Sequence, residues 1–242
     1  MKVTIINGNT RHGSTWHSAQ VMLQALEQYD TVEKTEFLLP RDMPHFCAGC
    51  FSCFYKGEQT CPHAQSVQPI ARAILDADVV ILTSPVYAVD VTGQMKALLD
   101  HLCYMWMSHR PDPRMFGKVG VAVATTAGAG LGHTVKTLRK SLTFWGSARV
   151  LSFAHTVSAM KWDDVSEKKR ERIQKDAAKA AKRIAEFVRQ KGRIRAPLSR
   201  CLLMSIMKGM MSKNTWNLRD RKHWEEQGWI KAAALSTEPE SR

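Results

Sequence analysis

Apolar runs alternate with segments of helical spacing along most of the chain. Residues 3–6, 35–39, 79–82, 119–125 and 149–157 read as strands, with helices at 14–28, 66–76, 93–107 and 132–145 between them. The runs Val3-Thr4-Ile5-Ile6 and Val79-Val80-Ile81-Leu82 lack polar alternation, as strands do when helices cover both faces of their sheet. Single helices between successive strands imply right-handed parallel crossovers. The predicted fold is therefore α/β, a three-layer sandwich around a five-stranded parallel sheet. Residues 166–191 read as a long helix with Ser166 as N-cap and Gly192 just past its end. Ile173, Ala177, Ala180, Ile184, Phe187 and Val188 form its apolar stripe, which is expected to pack on the sheet.

Beyond that helix the pattern changes. Residues 1–192 are expected to form the α/β domain and residues 193–242 a basic, Met- and Trp-rich helical extension. Residues 193–197 read as a linker. Leu198, Leu202, Leu203, Ile206, Met207, Met210 and Met211 then form an apolar surface beside Arg200, Lys208 and Lys213. An intramolecular or dimer contact is expected there, with an anionic membrane surface against 198–213 as the second choice. Trp216, Trp224 and Trp229, with Arg219-Asp220-Arg221-Lys222, are expected to end the ordered part, and 232–242 to form a disordered tail. Basic residues among aromatics can stack on nucleic acid. No nucleic-acid-binding motif accompanies them, so nucleic acid is not the expected partner.

Composition sharpens this division. The chain has 242 residues and a net charge of +13, and 18 Lys/Arg against 5 Asp/Glu lie between Ser166 and Lys222. The rest carries 17 of each, so the basic excess belongs to the last third. It suits an acidic partner, an anionic membrane surface or nucleic acid, or serves as a solvated helix face. No apolar run approaches the ~18 residues of a spanning helix, and no secretory leader is evident. A cytoplasmic location is expected. Six cysteines in such a chain argue for thiol, metal or redox work rather than a disulfide framework.

The candidate chemistry begins at the first turn, Asn7-Gly8-Asn9-Thr10-Arg11-His12-Gly13-Ser14-Thr15. A strand that ends in a Gly-rich turn and feeds a helix offers unbonded N–H groups and a positive dipole end to an anion. Arg11, Ser14 and Thr15 add donors suited to phosphate. Ser14 stands where a P-loop has its lysine, which argues against a β,γ-phosphate site. The dinucleotide pattern G-x-G-x-x-G is also absent. A single terminal monophosphate fits what remains; the plain alternative is an ordinary turn in which Ser14 caps the helix. Two more loops follow strands at the same sheet edge, Thr83-Ser84-Pro85-Val86-Tyr87-Ala88-Val89 and Thr125-Thr126-Ala127-Gly128-Ala129-Gly130-Leu131-Gly132. Together the three suit a mononucleotide with a large ring system.

Gly8 to Thr15, then Ser84-Pro85-Val86-Tyr87 with Gly93-Gln94-Met95-Lys96-Ala97-Leu98-Leu99-Asp100 behind it, resemble the NAD(P)H-dependent FMN reductase superfamily. The iron–sulfur flavoprotein-like branch is the most similar. The resemblance covers roughly residues 1–188 and implies a flavodoxin-like fold with FMN between the loops. By position, Asn9, Arg11, Gly13, Ser14 and Thr15 would hold the phosphate. Ser84, Pro85, Val86, Tyr87 and Ala88 would lie along the isoalloxazine ring, and Thr126, Ala127, Gly128 and Gly130 would close its other side. The resemblance also implies NAD(P)H as co-substrate and a homodimer or higher assembly.

Cys47-x2-Cys50-x2-Cys53-x7-Cys61 is the sharpest local signal. Three thiols at spacing three with a fourth soon after let a compact loop wrap one [4Fe–4S] cluster, and iron–sulfur flavoproteins carry a similar motif. Free thiols, a thiol pair that cycles with the flavin, and zinc with His63 as a ligand remain as alternatives. Cys103 and Cys201 read as small buried apolar groups. No Ser-His-Asp or HExxH arrangement stands out, so no side chain is assigned proton transfer and the chemistry is expected to centre on the flavin. The leading expectation is an FMN-dependent oxidoreductase that takes hydride from NAD(P)H and reduces a quinone, flavin or redox-protein acceptor. An iron–sulfur flavoprotein relaying electrons between proteins is the alternative. The three-loop pattern disfavours a cofactor-free binding module.

Overall fold

A computed structural model describes residues 1–190 and 197–232. In chain order the elements are β1 (Lys2–Asn7), α1 (Ser14–Glu27), β2 (Glu33–Leu38), α2 (Ser52–Tyr55), α3 (Ala64–Asp76), β3 (Val79–Pro85) and α4 (Gly93–His101). They continue with β4 (Val119–Thr126), α5 (Leu131–Phe144), β5 (Arg149–Thr156), α6 (Glu167–Arg189), α7 (Leu198–Ser212) and α8 (Leu218–Glu226). Gly192, the linker at 193–196 and the tail from 233 lie outside the described residues.

All five strands are parallel, in the order β2-β1-β3-β4-β5. Alternate side chains of the apolar strands serve opposite layers. Val79 and Ile81 join Met22 and Leu26 of α1 and Ile173, Ala177 and Ile184 of α6. Val80 and Leu82 join Val67 and Ile70 of α3, Met95 and Leu98 of α4, and Leu138 and Leu142 of α5. This is the predicted flavodoxin-like sandwich. From β1 the chain moves outward to β2 and then returns past β1 to β3. The reversal opens a crevice at the carboxyl ends of β1 and β3, where open α/β sheets bind ligands.

Four details differ from the sequence pattern. The helix expected at 93–107 stops at His101, where the Leu102 carbonyl accepts the Trp145 indole Nε1 at 3.2 Å and a tight turn over Cys103–Met105 follows. The apolar surface of α7 divides: Met204, Met207 and Met211 pack with Trp224, Trp229 and Ile230, while Leu198, Leu202, Ile206 and Met210 are exposed. Cys201 is exposed and Cys103 only half-buried, because α7 turns the first outward and the Cys103–Met105 turn leaves the second at the surface of the α4 layer. The pattern gives no sign of α8, a polar helix capped by the Asn217 side chain on Asp220 N. Its anchor is Trp224, fully buried, whose indole donates to the His109 carbonyl at 2.6 Å.

Candidate flavin site and cysteine lobe

A cavity of about 320 Å³ opens at the carboxyl ends of the strands. Asn9, Arg11, Gly13, Ser14, Thr15, Pro85, Val86, Tyr87, Thr126 and Ala127 line it. The turn after β1 is shaped by Gly8, where a Cβ would lie 2.8 Å from Thr92 Oγ1 and 2.9 Å from the Thr83 carbonyl oxygen. Gly8 N donates to that carbonyl and Thr92 Oγ1 to the Gly8 carbonyl, so only glycine fits between β3 and α4. The N-cap of α1 is Gly13, and no side chain caps the helix. Ser14 is thus the first helical residue rather than the cap. Its hydroxyl is buried and has no hydrogen-bond partner. A buried orphan hydroxyl beside uncapped helix amides costs stability unless a ligand acceptor completes it.

Side chains tie the three loops into one wall. Asn9 Nδ2 donates to the Tyr87 hydroxyl at 2.8 Å, and Asn9 Oδ1 accepts from Arg11 N at 2.9 Å. The Thr15 and Thr125 hydroxyls lie 2.6 Å apart. Four residues expected at the ligand do not line the cavity. Ser84 is fully buried, donating to its neighbour's carbonyl and accepting from Thr92 N. Gly130 adopts φ +85° and lets the third loop close on Val86 and Val89, where a Cβ would meet their atoms at 2.7 and 2.8 Å. Ala88 sits in an exposed left-handed turn, and Gly128 N donates to Thr126 Oγ1.

The cavity also includes Asn7, Thr83 and Thr125, the first residues of the three loops, and four residues that no motif marked: Trp16, Val157, Ala159 and Met160. The last three belong to the loop after β5, and the Met160 carbonyl accepts from Arg11 Nη2 at 2.9 Å. That loop has no glycine or proline signature; only the prediction of a fifth parallel strand ending at the same edge pointed towards it. Glu36 Oε1 on β2 accepts from both Asn7 Nδ2 (2.9 Å) and Trp16 Nε1 (3.0 Å). Burial pushes the Glu36 carboxyl up, but hydrogen bonds from Lys34, Trp16 and Asn7 outweigh it and hold it below its ordinary value.

A second centre lies between β2 and α3. Cys47, Cys50, Cys53 and Cys61 line one small, partly open pocket with Phe51, Pro62, His63, Asp100 and His101, and Cys47 and Cys50 are exposed. Left-handed backbone at Gly49 and Phe51 folds the motif back on itself. The Ser52 hydroxyl, 3.3 Å from Cys50 Sγ, holds that thiol below its usual range. Burial pushes Cys53 up, with Arg110 pulling the other way. Burial likewise pushes Cys103 up to about 12. Four cysteines bordering one pocket fit a compact cluster as donors.

The family model for NADPH-dependent FMN reductases matches residues 1–161. The chain belongs to this family. An iron–sulfur flavoprotein of Archaeoglobus fulgidus is 28% identical over 235 residues, spanning 94% of this chain and 99% of that protein. An iron–sulfur flavoprotein of Methanocaldococcus jannaschii is 33% identical over 124 residues, covering 51% of this chain and 61% of that one. The crystal structure of an azoreductase from Bacillus anthracis aligns with TM-score 0.59 at 14% identity, over 76% of this chain and 99% of that one. That likeness concerns the fold alone. Membership of the family makes the chain an FMN-dependent oxidoreductase. No helix among the described residues is long and apolar enough to cross a membrane.

Proposed function

We propose that the protein oxidises NAD(P)H through FMN held in the cavity at the carboxyl ends of the strands, and passes the electrons to a quinone, flavin or redox-protein acceptor. The observation that carries this reading is the buried, unpartnered Ser14 hydroxyl at the uncapped start of α1, beside Arg11 and Thr15. A phosphate there would accept from Ser14, Thr15, the first amides of α1 and the Arg11 guanidinium. Pro85, Val86 and Tyr87 would lie along the ring and Thr126 and Ala127 would close it. Ser84, Ala88, Gly128 and Gly130 act from behind by setting the loops' shape. Bound FMN supplies the chemistry, exchanging hydride with nicotinamide and single electrons with other carriers. The protein binds and orients it.

The cysteine lobe favours a second reading, in which Cys47, Cys50, Cys53 and Cys61 hold a [4Fe–4S] cluster and the protein relays electrons between partners. Its support is the shared pocket of the four thiols and the names of the two archaeal relatives. One preparation tests both. The protein is purified without oxygen, its visible spectrum recorded, and iron, acid-labile sulfide and NADH and NADPH oxidation measured. Flavin bands with fast nicotinamide oxidation are expected for the enzyme. Broad added absorbance with stoichiometric sulfide and slow nicotinamide turnover would favour the relay. Colourless protein that takes up no added FMN would overturn both.

A further inference from the structure

Within the cysteine lobe a different set of donors is drawn closer together. Cys61 Sγ and a ring nitrogen each of His63 and His101 all lie within 4.8 Å of one another. His63 Nδ1 and His101 Nε2 are 3.0 Å apart. His101, buried on α4, has its Nδ1 2.8 Å from the Ala97 carbonyl one turn back. That bond requires the proton on Nδ1 and leaves the Nε2 lone pair facing His63. A histidine ligand usually has this outer contact, which orients the ring and keeps the coordinating nitrogen bare. Cys61 Sγ is similarly supported, accepting from His63 N at 3.4 Å where α3 begins. His45 stacks on the His63 ring at 4.5 Å and limits its rotation.

We propose that Cys61, His63 and His101 form a mononuclear site for a borderline divalent cation of the zinc type, filled when the lobe carries no cluster. One thiolate and two imidazoles select such an ion over magnesium or calcium, and they leave a fourth position open to solvent. Zinc–donor distances of about 2.0–2.3 Å require adjustments on the order of 1 Å from the observed separations, within reach of side-chain rotation. Binding releases the Cys61 thiol proton to solvent. It also replaces the hydrogen bond between the two rings, with the His63 proton carried on Nε2 in the loaded form. Cys61 cannot serve this ion and a four-thiolate cluster at once, so the two occupants exclude each other. The proposal is independent of the flavin reading.

The test uses the full-length chain carrying Cys47→Ser and Cys50→Ser, which removes two cluster thiols and keeps all three donors. Titration with Co(II) should give one equivalent of a tetrahedral spectrum with a thiolate-to-cobalt charge-transfer band, displaced by Zn(II). Adding His63→Ala or His101→Ala should weaken binding beyond the roughly 100-fold that outer-shell changes reach. FMN content should be unaltered in the His63→Ala protein, which reports an intact fold. Absence of Co(II) and Zn(II) binding, or binding indifferent to both histidine substitutions, would overturn the site. Recovery of a full cluster and zinc together on the wild-type chain would overturn the shared thiol.

Discussion

Arg110 and Asp220 form a buried ion pair, Nη1 to Oδ1 at 2.5 Å, across 110 positions of the chain. The second guanidinium nitrogen of Arg110 donates to the Cys53 carbonyl at 2.6 Å. Asp220 Oδ2 faces His109 Nδ1 at 2.7 Å and accepts from Asn217 Nδ2 at 2.9 Å. The C-terminal helix α8 is therefore joined to the cysteine lobe through one buried arginine.

Removing Asp220 should be costly. Asp220→Ala leaves the Arg110 guanidinium buried without its carboxylate, a situation that costs about 3–5 kcal/mol. Urea unfolding should show that loss, and alkylation of Cys53 should accelerate as its carbonyl anchor loosens. A change under about 1 kcal/mol would mean that Arg110 finds a full substitute in Glu58, 3.4 Å away.

At the proposed flavin site, Ser14→Ala should weaken FMN binding roughly tenfold, the loss of one hydrogen bond to a charged group. Ser14→Asp should weaken it at least about 100-fold, since a carboxylate would face the phosphate. Flavin fluorescence quenching measures both. Equal affinities in all three proteins would place the phosphate elsewhere.

Gly8→Ala places a methyl against two fixed oxygens, and overpacking of this kind costs about 1–3 kcal/mol. The turn should also shift away from α4, so FMN retention should fall with stability. Gly93→Ala is the control, because a Cβ there meets nothing within 4 Å. Thermal melts with and without FMN distinguish the two variants.

Glu36 predicts an acid sensitivity. Its folded pKa lies below the ordinary 4.5, so it adds stability that is present above that value and lost as pH falls through the folded pKa. Glu36→Gln should flatten the dependence of the urea midpoint on pH below about 4.5 and leave the wild-type slope above it nearly unchanged. An identical acid limb in both proteins would show that Asn7 and Trp16 are held without the charge.

The layered architecture was readable because its signals are local. Unbroken, β-branched runs between turn signals, such as Val79 to Leu82, read as strands covered on both faces, and α6 carries its stripe at helical spacing. The loops after β1, β3 and β4 were readable for the same reason, since glycine and proline mark turns through their own backbone preferences. The Ala88 and Gly130 assignments to the ring relied on loop membership, which does not say which side of a loop meets the cavity.

Sequence alone determined the parallel α/β class, the phosphate-suited first turn and the spacing of the four thiols, all set by chemistry within a few residues. Tertiary structure decided what depends on distant segments meeting. Met160 reaches Arg11 across 149 positions, and His101 reaches His63 across 38. Asp220 becomes buried only because Arg110 neutralises it and His109 and Asn217 contact it in place of water. Such partners carry no periodicity of their own, and burial turns an ordinary surface charge into an anchor only after the chain has folded.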